Sequence, residues 1–397
     1  MDFTITTEPV KLTTYRPENA HKLLTVPVPN GRHHGDIHAV TWSLGLHVRR
    51  KGVSTLSIPL GDLRCLDEIL PVYSAPITLV RAPVQHRKPK KDARLRGGSK
   101  LDEICRVFRL PASVATPLSS IQTDDPDGAS WRSIIIAEKT SFDLDKKIWD
   151  SGLGRSTQST LHVILRRIVA LAAWLARRSS LEDQATVSES HECAAVSSWL
   201  WARPKRCLEL GAGSGMTSIV LSVLLSVPIV GDEDGTPPRF SEPPGHSSVH
   251  ATDLPSALPL ILRNIESNCG QPSSVHGTSG DAGTSQPSRL VIPSVGVLNW
   301  EDDTLPESVV SAPPDVIIMS DVTYNTDSFP ALLRTLKNLL QLSPHARIIL
   351  AYKERHEAER SAWPLFEKEV GIRLQKVDEI PGAGGAPVEV WFGSHQG

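Results

Sequence analysis

A chain of 397 residues, of which 40% are hydrophobic and 22% charged, has room for one large globular domain or two ordinary ones. Its formal net charge of −2 argues against general binding to nucleic acid. Its five cysteines show no C-x-x-C pair or zinc spacing, so we expect free thiols and no metal site. The chain start lacks a signal-peptide pattern, and no apolar run reaches the roughly 18 residues that span a bilayer. We therefore expect a cytoplasmic protein, with the nucleus as a second location, no membrane partner and a monomeric state.

Residues 1–130 carry the weakest patterns, and we treat them as an N-terminal extension of unknown role. Partial alternation over 38–48 and the apolar run 77–80 predict short strands, and 101–110 predicts a short helix. Residues 85–100 are basic and contain proline and glycine. They are either a solvated loop or a patch for nuclear import or for an acidic or RNA-bearing partner.

Residues 131–397 have the pattern of a second, larger domain in which strands and helices alternate. Such alternation indicates a doubly wound α/β sheet. Two segments rich in serine, glycine and proline, near 231–247 and 269–288, are predicted to be disordered insertions. The last strand closely follows a Pro/Gly turn, which favours an antiparallel edge strand. The predicted strands are 133–137, 207–210, 249–253, 315–321, 346–352 and 388–392, with further strand material at 290–292 and 296–298. The predicted helices are 161–176, 194–201, 258–268, 329–342 and 361–370, and one more follows strand 207–210 and ends near residue 225.

The segment Glu209-Leu-Gly-Ala-Gly-Ser-Gly215 joins a predicted buried strand to an apolar helix. Glycine is needed where the backbone turns sharply or approaches a ligand without a Cβ in the way. The turn delivers that ligand to a helix N-terminus, whose free N–H groups favour acceptors and anions. We expect a nucleoside-containing cofactor here, and the alternative is a plain strand–helix turn. Dinucleotide-binding turns look similar, but their usual third glycine is missing in the expected frame.

Two aspartates follow predicted strands, where doubly wound sheets place their sites. Asp253 can accept both ribose hydroxyls of a nucleoside, or it can be the N-cap of the next helix. Asp321 begins the sequence Asp-x-x-Tyr, which ends at Tyr324 and follows the apolar run 316–319. Asp321 is therefore either an acid at the rim of a dry site or a simple turn or cap residue.

Several elements occur in the order found in seven-β-strand S-adenosylmethionine-dependent methyltransferases, and the chain most resembles their protein-lysine group, methyltransferase family 16. These elements are Cys207–Ser218, Thr252-Asp253, Leu298-Asn-Trp300, Ser320-Asp-Val-Thr-Tyr324 and the upstream Ile148-Trp-Asp150. The resemblance covers roughly residues 133–393. It implies a Rossmann-like, seven-stranded, mostly parallel sheet whose last strand is antiparallel.

The resemblance also implies a role for each site residue. Glu209 would pair with the ammonium of S-adenosylmethionine, and Ser218 replaces a frequent glycine, which predicts looser packing there. Asn299 replaces a frequent acid and can still hydrogen-bond the adenine edge. The implied cofactor-binding residues are Trp149, Glu209, Gly211, Gly213, Gly215, Asp253, Asn299, Trp300 and Ser320, with Trp300 stacking on the adenine and Asp253 holding the ribose.

The implied reaction is methyl transfer to a lysine side chain of a protein substrate. A free lysine has a pKa of about 10.4 and must lose its proton before it attacks a methyl group. Asp321 would position this amine, and Tyr324 would add a hydroxyl or an aromatic wall. The alternatives are methylation of a small molecule or of a protein N-terminal amine, and a non-catalytic adaptor that keeps the cofactor fold. A nicotinamide-dependent oxidoreductase would need a different glycine spacing.

Overall fold

The computed structural model describes residues 103–111, 131–139, 160–179, 191–202, 204–226, 247–270, 291–323, 325–354, 357–380 and 387–395, and five short strands before residue 79. Trp149, Tyr324, the basic segment 85–100 and most of both predicted insertions lie outside the described residues. In the described part of the chain, no helix is long and apolar enough to cross a membrane.

The described elements alternate between strands and helices from residue 206 to residue 380, and the next described element is again a strand, Val388–His395. The strands are β1 (Thr41–Trp42), β2 (Gly45–Leu46), β3 (Ile58–Pro59), β4 (Val72–Ser74), β5 (Ile77–Thr78), β6 (Glu103–Pro111), β7 (Trp131–Lys139), β8 (Arg206–Leu210), β9 (Ser248–Asp253), β10 (Ser294–Val297), β11 (Val316–Ser320), β12 (Arg347–Tyr352), β13 (Ile372–Ile380) and β14 (Val388–His395). The α-helices are α1 (Thr160–Ser179), α2 (His191–Trp201), α3 (Met216–Leu225), α4 (Leu258–Cys269), α5 (Glu307–Val310), α6 (Phe329–Leu342) and α7 (Ala362–Leu365). Single turns of 3₁₀-helix at Thr326–Ser328 and Glu357–Ser361, and a π-helical turn at Phe366–Val370, complete the helical segments.

The larger sheet has seven strands in the order β10-β9-β8-β11-β12-β14-β13, which confirms the predicted fold class. All neighbouring strands from β10 to β12 are parallel, and β14 is antiparallel to both of its neighbours. The sequence therefore predicts the direction of the last strand correctly but not its place. The sheet ends at β13, and β14 lies between β12 and β13. The sequence reading missed β13, whose alternation is broken by a register shift between Lys376 and Asp378.

The central strand β11 shows how the core is divided between the two faces of the sheet. Every residue of this strand is buried, which is typical of parallel strands covered on both faces. Val316 and Ile318 belong to the core that also contains α1, α3 and α4. Ile317 and Met319 belong to the core on the opposite face, with α6 and α7. The period of two along one strand thus places helices on both faces of the sheet.

The strands before residue 140 form two further sheets. One is the pair β1 and β5, and the other has five strands, among which β6 and β7 make a long antiparallel hairpin. The predicted helix over 101–110 is wrong, because this segment is β6. Arg106, Phe108 and Leu110 are buried, and the residues between them are less so, which is a strand period. Arg106 obscured this period, because a charged residue is seldom buried without a partner. Its partner here, Glu138 of β7 at 2.8 Å, is distant in the sequence. The pairing spans the predicted domain boundary at residue 130, and the division of the chain there stays a prediction.

Candidate functional site

The carboxyl ends of β8, β9, β10 and β11 meet at one edge of the seven-stranded sheet, because these strands are parallel. Leu210, the last residue of β8, lies opposite Thr252 on one side and Met319 on the other. Along the chain, the residues that follow Leu210, Thr252 and Met319 are Gly211, Asp253 and Ser320. The register therefore brings three predicted site residues together at the point where the glycine turn begins.

The glycine turn adopts a backbone that other residues rarely accept. Gly211, Gly213 and Gly215 have φ angles of 65°, 59° and 76°. A methyl group on Gly211 would lie 3.2 Å from Cγ1 of Val322 and 3.5 Å from Cζ2 of Trp300, so this glycine lets the indole pack against the turn. A methyl group on Gly213 would meet nothing within 4 Å. The backbone at Gly213 therefore borders open space, where a ligand can approach closely.

Asp253 holds the turn from the neighbouring strand. One carboxylate oxygen accepts from the backbone N–H of Gly213 at 2.7 Å, and the other accepts from Leu254 at 2.7 Å. A carboxylate has about four acceptor positions, so these two bonds alone do not exhaust its capacity for ribose hydroxyls. The alternative role as a helix cap is excluded, since α4 begins at Leu258 with Ala257 as its N-cap.

Glu209 lies beneath the turn and is only 2% exposed. Its carboxylate accepts from both the backbone N–H and the hydroxyl of Ser218. Burial raises the pKa of Glu209 to about 7, although hydrogen bonds from Ser218 and Thr217 oppose this shift. The described bonds of the Glu209 carboxylate are thus made to α3, and its pairing with a cofactor ammonium stays a prediction.

The hydroxyl groups around Glu209 form a small buried cluster. Ser218 is 1% exposed, and its hydroxyl fills space that a glycine would leave empty. The looser packing that we expected at this position is replaced by a hydrogen bond to Glu209. The hydroxyl of Thr217 lies 3.5 Å from that of Ser320, at the end of β11. Ser320 is buried as well. The predicted cofactor residue Ser320 is thereby linked to the first turn of α3.

Trp300 and Asn299 follow β10 and lie beside the glycine turn. Trp300 is partly buried, its ring packs against Gly211, and its carbonyl accepts from Arg334 at 3.1 Å. Asn299 is also partly buried, but its amide donates to Asp302 and accepts from the backbone of Glu301. Trp300 is therefore placed to form a wall of the site, whereas Asn299 closes its own turn. Its bond to adenine stays a prediction.

Asp321 begins the loop after β11 with φ 61, in the left-handed region that aspartate tolerates better than most residues. Its backbone N–H donates to the carbonyl of Ala351 in β12 at 3.2 Å. The strained backbone and this bond fix the residue at the strand end, half-buried. Asp321 is not the cap of the following helical turn, because Asn325 has that role.

Together these residues fit a nucleoside cofactor. The turn offers free space over Gly213, a carboxylate at the end of the adjacent strand and an indole at its side. Asp321 lies at the same edge, at the end of the next strand. The arrangement can hold a nucleoside at one end and present an acceptor group to a carboxylate at the other.

Two polar residues support the turn in ways that the sequence did not predict. The hydroxyl of Thr252 donates to the carbonyl of Glu209 at 2.7 Å. The amide of Asn264, in α4, donates to the carbonyl of Ser214 at 2.9 Å. Asn264 falls on the apolar stripe of its helix, with Leu260, Ile261 and Ile265. A polar residue on a buried stripe is the signal that would have found it.

A family model described as lysine methyltransferase matches residues 130–368 of the chain. The chain is 28% identical to EEF1A lysine methyltransferase 3 of Xenopus tropicalis over 155 residues. This alignment covers 38% of this chain and 49% of that protein. It is 29% identical to the Mus musculus protein of the same name over 179 residues, an alignment that covers 45% of this chain and 58% of that protein. It is 26% identical to protein-lysine N-methyltransferase EFM6 of Saccharomyces cerevisiae over 157 residues, an alignment that covers 39% of this chain and 52% of that protein. The chain thus spans about half the length of these relatives.

Among solved structures, the chain is similar to magnesium protoporphyrin IX methyltransferase (ChlM) from Synechocystis PCC 6803 with bound SAM. The TM-score is 0.33 and the identity 14%, over 61% of this chain and 87% of that one, so this likeness carries no argument about the site. The family model, in contrast, covers more than half of the chain and confirms the resemblance seen in the sequence. The chain belongs to the lysine methyltransferase family.

Proposed function

We propose that this protein binds S-adenosylmethionine and transfers its methyl group to a lysine side chain of a protein substrate. One observation carries the proposal. The register of β8, β9 and β11 sets the glycine turn, Asp253 and Asp321 side by side at one edge of the sheet, with Trp300 against the turn. A nucleoside site and a carboxylate for an amine are therefore neighbours, and family membership indicates lysine as the acceptor.

The cofactor-binding half of the site uses the turn, Asp253 and Trp300. Asp253 accepts from the ribose hydroxyls, as acids at strand ends do in doubly wound nucleotide folds. Trp300 covers the adenine, and the N-terminus of α3 favours the carboxylate of the methionine group. When bound, S-adenosylmethionine supplies a methyl group on a positively charged sulfur.

The acceptor half of the site depends on Asp321. Its carboxylate holds the amine of the incoming lysine in line with the methyl group and stabilises positive charge on the nitrogen. The strand that leads to Asp321 is buried along its whole length and apolar over 316–319, and loss of water favours the neutral amine that attacks. Tyr324, which lies outside the described residues, is proposed to line the path of the lysine. Orientation and loss of water supply most of the rate increase.

The substrate that we propose to test first is EEF1A, which is named in two of the relatives. A lysine-bearing protein of another kind is the alternative. For the chain itself, we propose a monomer in the cytoplasm, with the nucleus as a second location. Gel filtration and imaging of the tagged protein test these two proposals.

Methyl transfer from labelled S-adenosylmethionine to lysate proteins tests the function directly. We expect a labelled protein band with the wild type, and methyl-lysine in the mass spectrum of that band. The variant Asp321→Asn keeps the shape of the side chain and accepts the same backbone conformation, but it has no charge. It should give no label while binding the cofactor as the wild type does. Label on small molecules or on N-terminal amines, with none on lysine, would contradict the proposed acceptor.

A further inference from the structure

The hairpin of β6 and β7 is held against α4 by a ladder of two asparagines. The amide of Asn264 accepts from the backbone N–H of Ala137 at 2.8 Å and donates to the carbonyl of the same residue at 3.0 Å. One helical turn later, the amide of Asn268 makes the same pair of bonds to Ile135, both at 2.7 Å. The two side chains thus bond the edge of β7 as a neighbouring strand would.

Other contacts fasten the same hairpin to the same helix. Arg263 of α4 forms an ion pair with Glu103 at the start of β6. Arg132 of β7 donates to the backbone carbonyl of Asn268 at 2.9 Å. The hairpin residues Phe108 and Ile134 are fully buried in the core that contains α3 and α4. The hairpin is therefore bonded and packed onto α4 and not merely tethered to it.

Of the two asparagines, Asn264 also contacts the glycine turn. Besides its bonds to Ala137, the Asn264 amide nitrogen donates to the carbonyl of Ser214 at 2.9 Å. Asn264 is 1% exposed, so water cannot replace this donor. An amide nitrogen has two hydrogens, and Asn264 gives one to the hairpin and one to the turn. Asn268 instead uses its second hydrogen on the carbonyl of Asn264, at 2.7 Å.

The bond to Ser214 fixes the turn at the position where a ligand would approach it. Ser214 lies between Gly213, which borders the open space, and Gly215, which is the N-cap of α3. The N–H of Gly213 is held from β9 by Asp253, and the carbonyl of Ser214 is held from α4 by Asn264. Consecutive residues of the turn are therefore clamped from two sides.

We propose that Asn264 is a positioning residue that couples the docking of the β6–β7 hairpin to the affinity of the turn for its cofactor. This inference rests on the proposed function for the identity of the ligand. If the hairpin leaves α4, the Asn264 side chain loses two of its three hydrogen bonds, both to Ala137, and is no longer fixed under Ser214. The N-terminal part of the chain can in this way change cofactor affinity without touching the cofactor.

The matched variants Asn264→Ala and Asn268→Ala test the coupling in the full chain. Both remove two bonds to β7, and only the first removes the bond to Ser214. We expect Asn264→Ala to bind S-adenosylmethionine roughly tenfold more weakly than Asn268→Ala in calorimetry, as loss of one buried bond predicts. Hydrogen exchange in a peptide covering 208–221 should be faster in Asn264→Ala than in Asn268→Ala, with no cofactor present. Should Asn264→Ala lack a cooperative thermal transition, the pair Asn264→Asp and Asn268→Asp is compared instead. Both keep the bond accepted from β7, and only Asn264→Asp loses the bond to Ser214.

A third variant, Glu103→Gln, weakens the hairpin contact without touching the turn, and we expect a smaller loss of affinity in the same direction. Equal affinity and equal exchange in the two alanine variants would overturn the coupling, even if the wild type binds the cofactor. If the wild type does not bind the cofactor, the proposed function fails. Faster exchange in Asn264→Ala would then still support the positioning role, and equal exchange would overturn it.

Discussion

The backbone N–H of Gly213 donates to a carboxylate oxygen of Asp253 at 2.7 Å, which ties the turn after β8 to the end of β9. The same carboxylate is the group that we propose to hold the ribose. Under this proposal, Asp253 both shapes the turn and binds the ligand. A change at Asp253 alters both functions, so predictions for other residues of the site are needed to separate them.

We predict that Gly213→Ala reduces cofactor affinity more than its effect on stability implies. The variant has to place a Cβ in the left-handed region, at a cost of about 1 kcal/mol. That Cβ also enters the open space beside the turn. Gly371→Ala is a matched control, because Gly371 has φ 73 and caps a helix that precedes β13. It should lose similar stability in thermal unfolding and keep its affinity, and equal affinity losses would contradict the open approach at Gly213.

We predict that Asp321→Asn preserves folding and cofactor binding but lowers methyl transfer by about 100-fold or more, in the range attributed to a positioned catalytic group. Asparagine tolerates the left-handed backbone at φ 61, so strain is unchanged. Single-turnover transfer to a protein acceptor and calorimetry with the cofactor separate the two effects. Wild-type activity in Asp321→Asn would exclude a role for the carboxylate.

We predict that the stability of Glu209→Gln, relative to the wild type, improves as the pH rises from 5 to 8. Burial raises the pKa of Glu209 from 4.5 to about 7, so the folded protein keeps a proton that the unfolded chain has already lost. Stability from this group is therefore lost as the pH rises through that window. At about 1.4 kcal/mol per pKa unit, the change is on the order of 3 kcal/mol.

Urea unfolding of both proteins at several pH values measures the difference. Burial also raises the pKa of Glu138 to about 7. Glu138 is present in both proteins, so its contribution to the pH dependence cancels in the difference between them. The absolute stability of the variant also reflects its altered bonds to Ser218, so the slope with pH is the quantity to compare. Parallel curves would contradict a buried, proton-binding Glu209.

We predict that Trp300→Leu weakens cofactor binding by about 10- to 100-fold, because stacking of a base on an aromatic side chain contributes about 1–3 kcal/mol. Trp199 is a suitable control, since this indole is half-buried and packs on Phe392 and Arg347, away from the glycine turn. Trp199→Leu should alter thermal stability and leave the affinity unchanged. If both variants bind equally well, Trp300 does not contact the adenine.

The sequence predicts the doubly wound domain well, because its central strands are short, apolar and separated by amphipathic helices. It fails where a charged residue is buried against a distant partner. Arg106 made β6 look like a helix, since Glu138 lies 32 residues further along the chain. The position of β14 inside the sheet depends on pairing with both β12 and β13, which no local pattern encodes.

In the candidate site, too, the sequence predicts local features and misses contacts between residues that are distant along the chain. The places of Gly213 and Asp253 at the carboxyl edge of the sheet are predictable, because glycine spacing and an acid after a strand are local features. Asn264 was not, because its partners, Ala137 and Ser214, are 127 and 50 residues away. The bonds between Glu209 and Ser218 join a strand end to the next helix, and only the structure shows that the replacement of a glycine by serine supplies a donor.

Calorimetric titration of the protein with S-adenosylmethionine tests the central claim most directly. We expect saturable binding at one site for the wild type, and binding at least about tenfold weaker for Asp253→Ala, which loses the ribose acceptor and a bond to the turn. Asp303→Ala removes the same charge from a side chain that is 92% exposed, and it should bind as the wild type does. Absence of binding by the wild type, or equal affinity of the wild type and Asp253→Ala, would contradict the assignment of this edge of the sheet as the cofactor site.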